Sequence, residues 1–260
     1  MYKSGFPPFE SKETMSNITD NTTPTMGKTI IVKSAELVMG MCVLSAGVCF
    51  GIISGLGQTT STSTSSALAG ALGITIGSAM FLLYSFFWIL QILILRKNFK
   101  ISSVLQIVTI AVHTRILNLF RYHFVLFQKL NPQTYSERCI VFIVGVLLIS
   151  LGFTMVKWSN FLNYPPESFC SVISEKYGFR FGTVKIFLDL FYVAATLIIC
   201  LISHQDFSII REGTLIFALC NGPLINFYTP HVQRLYFKIE KHFLNGYKAR
   251  FTSDCRFEYE

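Results

Sequence analysis

The sequence predicts an all-α polytopic membrane protein with six transmembrane helices in two inverted three-helix repeats. Three observations carry that expectation. Uncharged apolar runs recur along the chain. Charge is scarce between them: 52% of the 260 residues are hydrophobic and only 14% charged, with mean hydropathy +0.51, against roughly 25% charged residues in an ordinary soluble domain. The two halves also resemble each other at a fixed offset. Too little polar sequence is present to cover a water-soluble globule of this length. A soluble enzyme, a nucleic-acid binder and a secreted disulfide scaffold are therefore excluded.

The elements follow in order. Residues 1–29 are rich in Ser, Thr, Asn, Pro and Lys and are expected to be a disordered tail on the cytosolic side. No early apolar stretch makes them a signal peptide. Asn17 and Asn21 open glycosylation-type tripeptides, which that topology leaves in the cytosol. A span needs about 20 mostly apolar residues. Ala35–Leu56, Ile74–Leu95, Cys139–Val156 and Thr183–Ile202 satisfy this, while Ile101–Phe120 and Gly213–Pro230 are short or interrupted. The membrane domain is thus expected over 30–232, with one repeat at about 30–125 and the other at about 135–232. Residues 233–260 form a basic cytosolic tail and a candidate interfacial helix.

Loop charge sets the orientation. With the N-terminus in the cytosol, cytosolic segments hold 17 Lys and Arg and the opposite side holds Arg121, Lys129, Arg138 and Arg211. The positive-inside rule then places both termini in the cytosol. The net charge of +8 reads as anchoring to anionic lipid rather than to nucleic acid.

Sliding the chain by 105 residues superposes Gly40, Ser45 and Gly47 on Gly145, Ser150 and Gly152, and Gly73, Gly77 and Ser78 on Gly178, Gly182 and Thr183. An odd number of spans per repeat inverts the second copy. A site in such a fold lies near the membrane midplane where the repeats meet.

Several constellations are candidates for that site. Gly73–Gly77 and Gly178–Gly182 are G-x-x-x-G patterns that suit close helix packing. Followed by Ser78 or Thr183, each also suits a helix start that holds an anionic group. Lys185 and Asp189 are four residues apart in an apolar run, so they share a helix face. They read as a proton relay or cation partner, or as a structural pair. After Gln58, eight consecutive hydroxyl residues run from Thr59 to Ser66. They read as a solvated external loop, or alternatively as a polar re-entrant or cavity-lining stretch. Asn221-Gly222-Pro223 interrupts the sixth run, where freed carbonyls and the Asn221 and Asn226 amides can bond across helices. The candidate substrate-binding set is Gln58, Ser78, Gly178, Gly182, Thr183, Asp189, Asn221 and Gly222, with Lys185 paired to Asp189.

No hydrolase, zinc or nucleotide motif is present, so the chain is not expected to be an enzyme. The seven cysteines show no C-x-x-C spacing. They read as small apolar packers, with no metal or other cofactor. His113 reads as a packing residue.

The runs Gly178 to Leu190, Arg211-Glu212-Gly213-Thr214 and Gly222-Pro223, with Gly55-Leu56-Gly57 after the first span, resemble the YczE/YyaS/YitT-like family of bacterial integral membrane proteins. The resemblance covers about residues 34–230 and implies a multi-pass protein of the bacterial inner membrane. It supplies no catalytic residues, and the Ser/Thr run and the Ser203-His-Gln-Asp-Phe207 loop depart from the family pattern. The expected function is that of a small secondary permease or exporter for an unidentified solute. The alternative is a non-transporting accessory or scaffold protein that binds a partner membrane protein. An oligomer is compatible with either.

Overall fold

The computed structural model describes residues 23–96, 104–159, 164–205 and 211–243. The expected tripeptides at Asn17 and Asn21, the tail beyond residue 243 and Asp206-Phe207 of the loop before the last helix lie outside them. Every regular element among the described residues is helical. In chain order these are α1 (Thr23–Ser54), α2 (Thr60–Leu72), α3 (Ile76–Leu95), α4 (Gln106–Asn118), a π-helical turn (Leu119–His123), α5 (Val125–Lys129), α6 (Tyr135–Trp158), α7 (Pro165–Tyr177), α8 (Phe181–Ile202) and α9 (Glu212–Phe243).

Among the described residues four stretches are long and apolar enough to cross a membrane: Ile30–Ser54 in α1, Ile76–Leu95, Tyr135–Trp158 and Gly182–Ile202 in α8. They match four of the six expected spans. The other two differ from expectation. The third run holds a helix of only 13 residues, α4, followed by the π turn. At 1.5 Å per residue α4 is about 20 Å long, short of a hydrocarbon core of about 30 Å. The sixth run is not broken at Gly222-Pro223. Helix α9 continues through Pro223 and Pro230 for 32 residues and takes in the first eleven residues of the expected tail, Gln233–Phe243. A proline removes one backbone donor without ending a helix that its neighbours hold. At the other end, the α1 backbone is already helical from Thr23, within the segment expected to be disordered.

The Ser/Thr run corrects a second expectation. It is not a solvated loop but helix α2, with Thr62, Ser63, Thr64 and Ser65 all buried. Thr59 caps it, its side-chain oxygen accepting from the Thr62 amide at 3.1 Å. Gly73 ends it in the left-handed conformation, φ 65°, which costs glycine no Cβ clash. Helix α7 lies 105 residues later with the same 13-residue length. It starts on Pro165 and Pro166 and ends at a left-handed Gly178, φ 72°. Both helices are too short to span.

Helices α1 and α6 form the centre of the fold and run antiparallel at very close range. A Cβ on Gly47 would stand 2.6 Å from the Ile149 nitrogen, and one on Gly152 would stand 2.5 Å from the Leu44 nitrogen. Gly40 meets Val156 and Gly145 meets Gly51 in the same way. Adding 105 to one member of each pair and subtracting it from the other turns Gly47–Ile149 into Leu44–Gly152, and Gly40–Val156 into Gly51–Gly145. The seam is reciprocal at these pairs. Around it α2 packs on α8 and on α3, and α7 packs on α3 and on α8. Apolar residues remain outside, among them Ile186, Phe187, Leu190, Leu201 and Ile202 of α8. A lipid-facing surface needs such a face.

Candidate functional site

The polar centre of the molecule is the contact between α2 and α8. The i, i+4 spacing places Thr60 and Thr64 on one face of α2. On α8, Lys185, Asp189, Tyr192 and Thr196 share the facing stripe. Thr60 donates its hydroxyl hydrogen to Asp189 Oδ1 at 2.8 Å, and Lys185 Nζ donates to the same oxygen at 2.8 Å. One turn on, Thr64 Oγ1 lies 3.0 Å from both the Tyr192 carbonyl oxygen and Thr196 Oγ1. Farther along, Gln205 donates to the Ala67 carbonyl at 3.1 Å. Helix α2 therefore presents hydroxyls to an ion pair and to the α8 backbone along its length. Small hydroxyls suit this role because they satisfy a buried acceptor without adding charge.

The Lys185 and Asp189 side chains are 35% and 33% exposed although they lie inside an apolar helix. Glu167, half-buried in the first turn of α7, is within electrostatic reach of both. With both acids ionised, two negative groups face one positive group. Toward α3, the Tyr84 phenol is within hydrogen-bonding reach of Ser61. A cavity of about 10 Å³ lies beside Tyr84, bordered by Thr59, Ser61, Thr62 and His113. His113 is 2% exposed, stands edge-on to the Tyr164 ring at 5.2 Å, and finds no hydrogen-bond partner among the described residues for either ring nitrogen.

Of the residues expected from sequence, Lys185 and Asp189 are in this centre. The others are elsewhere. Gly178 ends α7 and Gly182 begins α8, and neither has any atom within 4 Å of an added Cβ. The second G-x-x-x-G is therefore not a packing seam. Its counterpart Gly77 is one, with the Thr114 carbonyl oxygen and the Asn118 side chain against it. Thr183 is exposed and caps nothing, since Arg180 is the N-cap of α8 and makes no side-chain cap bond. Ser78 is the third residue of α3, whose cap is Thr75. Gln58 donates its amide hydrogen to Thr214 Oγ1 at 3.4 Å and accepts from Ser66 at 2.9 Å, bracing the start of α2. Asn221 accepts from Ser150 at 2.9 Å, joining α9 to α6, and Gly222 is exposed with open space around it.

Sequence reasoning held Thr60 and Ser61 only as members of the hydroxyl run, missed Tyr84 and Glu167, and set His113 aside. The signal for Thr60 and Thr64 was present in their helical spacing within the hydroxyl run. Glu167 carried no signal, because its relation to Lys185 comes from the packing of α7 on α8.

Among the described residues no group of three or more His, Cys, Asp or Glu is placed to hold a metal ion. No curated protein and no solved structure matches the chain at a significant level. Residues 31–230, most of the chain, match a family of unknown function, DUF6198, and the chain belongs to that family.

Proposed function

We propose that the chain is a small secondary permease or exporter whose solute binds beside the Lys185–Asp189 pair. One observation carries the reading: an ion pair inside a helix apolar enough to span, still about one-third exposed and held by a hydroxyl from a short buried helix. Charges at membrane depth are retained where they face a cavity, a partner or a pathway. Two acids against one lysine leave the site one negative charge in excess. A proton or a monovalent cationic solute balances it.

In this reading the chain is a divergent relative of the YczE/YyaS/YitT-like proteins, in a bacterial plasma membrane. α1, α3 and α4 form one repeat and α6, α8 and α9 the other, making six membrane segments with both termini cytosolic. The reciprocal α1–α6 seam, and the polar anchors that α2 takes from α8 and α7 from α3, support an axis in the membrane plane. Helices α2 and α7 are the re-entrant elements. In known inverted-repeat transporters short helices of this kind line the midplane site.

A second reading is favoured by the solid glycine seam and the small size of the cavity beside His113. It is a non-transporting accessory or scaffold protein for a membrane biosynthetic or secretion complex. Reconstitution in vesicles with an internal pH dye separates the two. The expected result is saturable uptake of small amines or amino acids coupled to protons, with coupling lost in Asp189→Asn. Solute flux whose proton dependence survives Asp189→Asn removes the assigned role of the site. No flux across a broad cation and zwitterion panel favours the accessory reading.

A further inference from the structure

A larger cavity, about 320 Å³, lies away from this centre, where the C-terminal end of α4 and the π turn meet the start of α3. It is lined by Thr75, Arg115, Asn118, Leu119, Tyr122 and His123. Thr75 and Asn118 are already engaged. Asn118 Oδ1 accepts from the Gly77 amide at 3.0 Å and its Nδ2 donates to Thr75 Oγ1 at 2.9 Å. The amides at the start of α3 are also used, by Asn118, by Thr75 and by Tyr122, whose oxygen accepts from the Ile76 amide at 3.3 Å. The helix terminus is thus closed to a ligand, and these residues only fix the rim.

What remains free is cationic or donating. Arg115 is exposed and makes no hydrogen bond or ion pair among the described residues. His123 is exposed beside it and offers a ring N–H. Tyr122, having accepted through its oxygen, keeps its own hydroxyl hydrogen. Arg121 lies over the Tyr122 ring with its Cζ 5.9 Å from the centroid. The sequence contains no Asp or Glu between Glu36 and Glu137, and among the described residues neither Arg115 nor His123 is in an ion pair. The π turn adds a widened backbone where side chains would otherwise stay in α-helical register, a distortion common at functional sites. The cavity also sits at the edge of a spanning helix; Leu119, which lines it, and Phe124 and Val125, which follow the π turn in sequence, are about half exposed.

We propose that this groove binds a phosphate-class oxyanion, with Arg115 supplying the charge and His123 and the Tyr122 hydroxyl the remaining donors. A guanidinium matches two oxygens of such an anion at once. The anion comes either free from solution or as the phosphodiester of an acidic lipid headgroup whose chains lie along the exposed apolar residues. The proposal accounts for the basic stretch that the positive-inside rule places on the unfavoured side, and it does not depend on whether the chain transports.

The test has two arms, each with wild type, Arg115→Gln and His123→Gln, all first shown to melt cooperatively. In delipidated dodecyl maltoside micelles, inorganic phosphate is titrated calorimetrically. In parallel, chain released from nanodiscs of equal phosphatidylglycerol and phosphatidylcholine is read by native mass spectrometry. Saturable phosphate binding weakened at least tenfold by Arg115→Gln assigns the free anion. Retained phosphatidylglycerol in excess over phosphatidylcholine, lost in Arg115→Gln and reduced in His123→Gln, assigns the headgroup. Neither signal, or signals equal in wild type and both variants, overturns the site.

Discussion

Thr60 and Asp189, 129 positions apart, share a 2.8 Å hydrogen bond that fixes α2 to α8. Because Lys185 donates to the same carboxylate oxygen, the hydroxyl and the ammonium converge on one acceptor. The carboxylate thereby helps to set the register between a buried polar helix and an apolar one, together with the Thr64 contacts to Tyr192 and Thr196.

This convergence predicts measurable coupling. Thr60→Val is expected to cost about 1 kcal/mol and Asp189→Ala about 1 kcal/mol, the pair being only partly buried. The double variant is expected to lose less than the sum, because both singles remove the same bond. Thermal unfolding in detergent, followed by near-UV circular dichroism, checks this. Strict additivity would show that the bond contributes nothing to the fold.

The glycines divide into two classes with opposite expected behaviour. Gly47→Ala and Gly152→Ala place a methyl group 2.5–2.6 Å from a backbone nitrogen of the partner helix and must push α1 and α6 apart. Overpacking of this kind costs about 1–3 kcal/mol. Gly182→Ala and Gly222→Ala meet open space and gain helix propensity of up to about 1 kcal/mol. The midpoint of unfolding is expected to fall for the first two and to hold or rise for the second two. A fall for Gly222→Ala would mean that a partner covers that face.

How much was legible in the sequence follows the range of each signal. Four spans and the Lys185–Asp189 pair were readable because hydropathy and i, i+4 spacing are local. The four seam glycines were readable because glycine marks close approaches, and Gly40, Gly47, Gly145 and Gly152 do lie in one seam. Helix α2 was misjudged because hydroxyl residues signal loops unless a partner buries them. The partner here is Tyr192 and Thr196, more than 120 positions away. Gly222-Pro223 misled in the opposite direction. Its helix-breaking tendency is local, whereas α9 is held by distant contacts such as the Tyr236 hydroxyl on the Met155 carbonyl at 3.1 Å. Thr183, Gly182 and Gly178 joined the candidate set through symmetry with a first-half motif whose packing they do not share.

Burial of the hydroxyl run gives a direct chemical prediction. In a background with the native cysteines replaced, Ser65→Cys is expected to resist a membrane-impermeant maleimide in intact vesicles and to react fully after SDS denaturation. Ser65 is 0% exposed, and its hydroxyl donates to the Ser61 carbonyl at 2.9 Å. Rapid labelling from either side of intact vesicles would restore the solvated-loop interpretation of Thr59–Ser66.

The second short helix has its own anchor. Gln91 on α3 donates to the Pro165 carbonyl at 2.7 Å, as Asp189 on α8 accepts from Thr60. Pro165 and Thr60 are equivalent under the 105-residue offset, so each short helix is held at its first residue by a polar side chain from the opposite half. Gln91 is 1% exposed and its amide has no water to turn to. Gln91→Met keeps the volume and removes the donor, at an expected cost of about 1 kcal/mol. Hydrogen exchange read by mass spectrometry is expected to speed up in α7 while α2 stays unchanged. Thr60→Val should give the converse pattern. Equal acceleration of both helices in either variant would show that α2 and α7 open as one unit, and the two anchors could not then be independent.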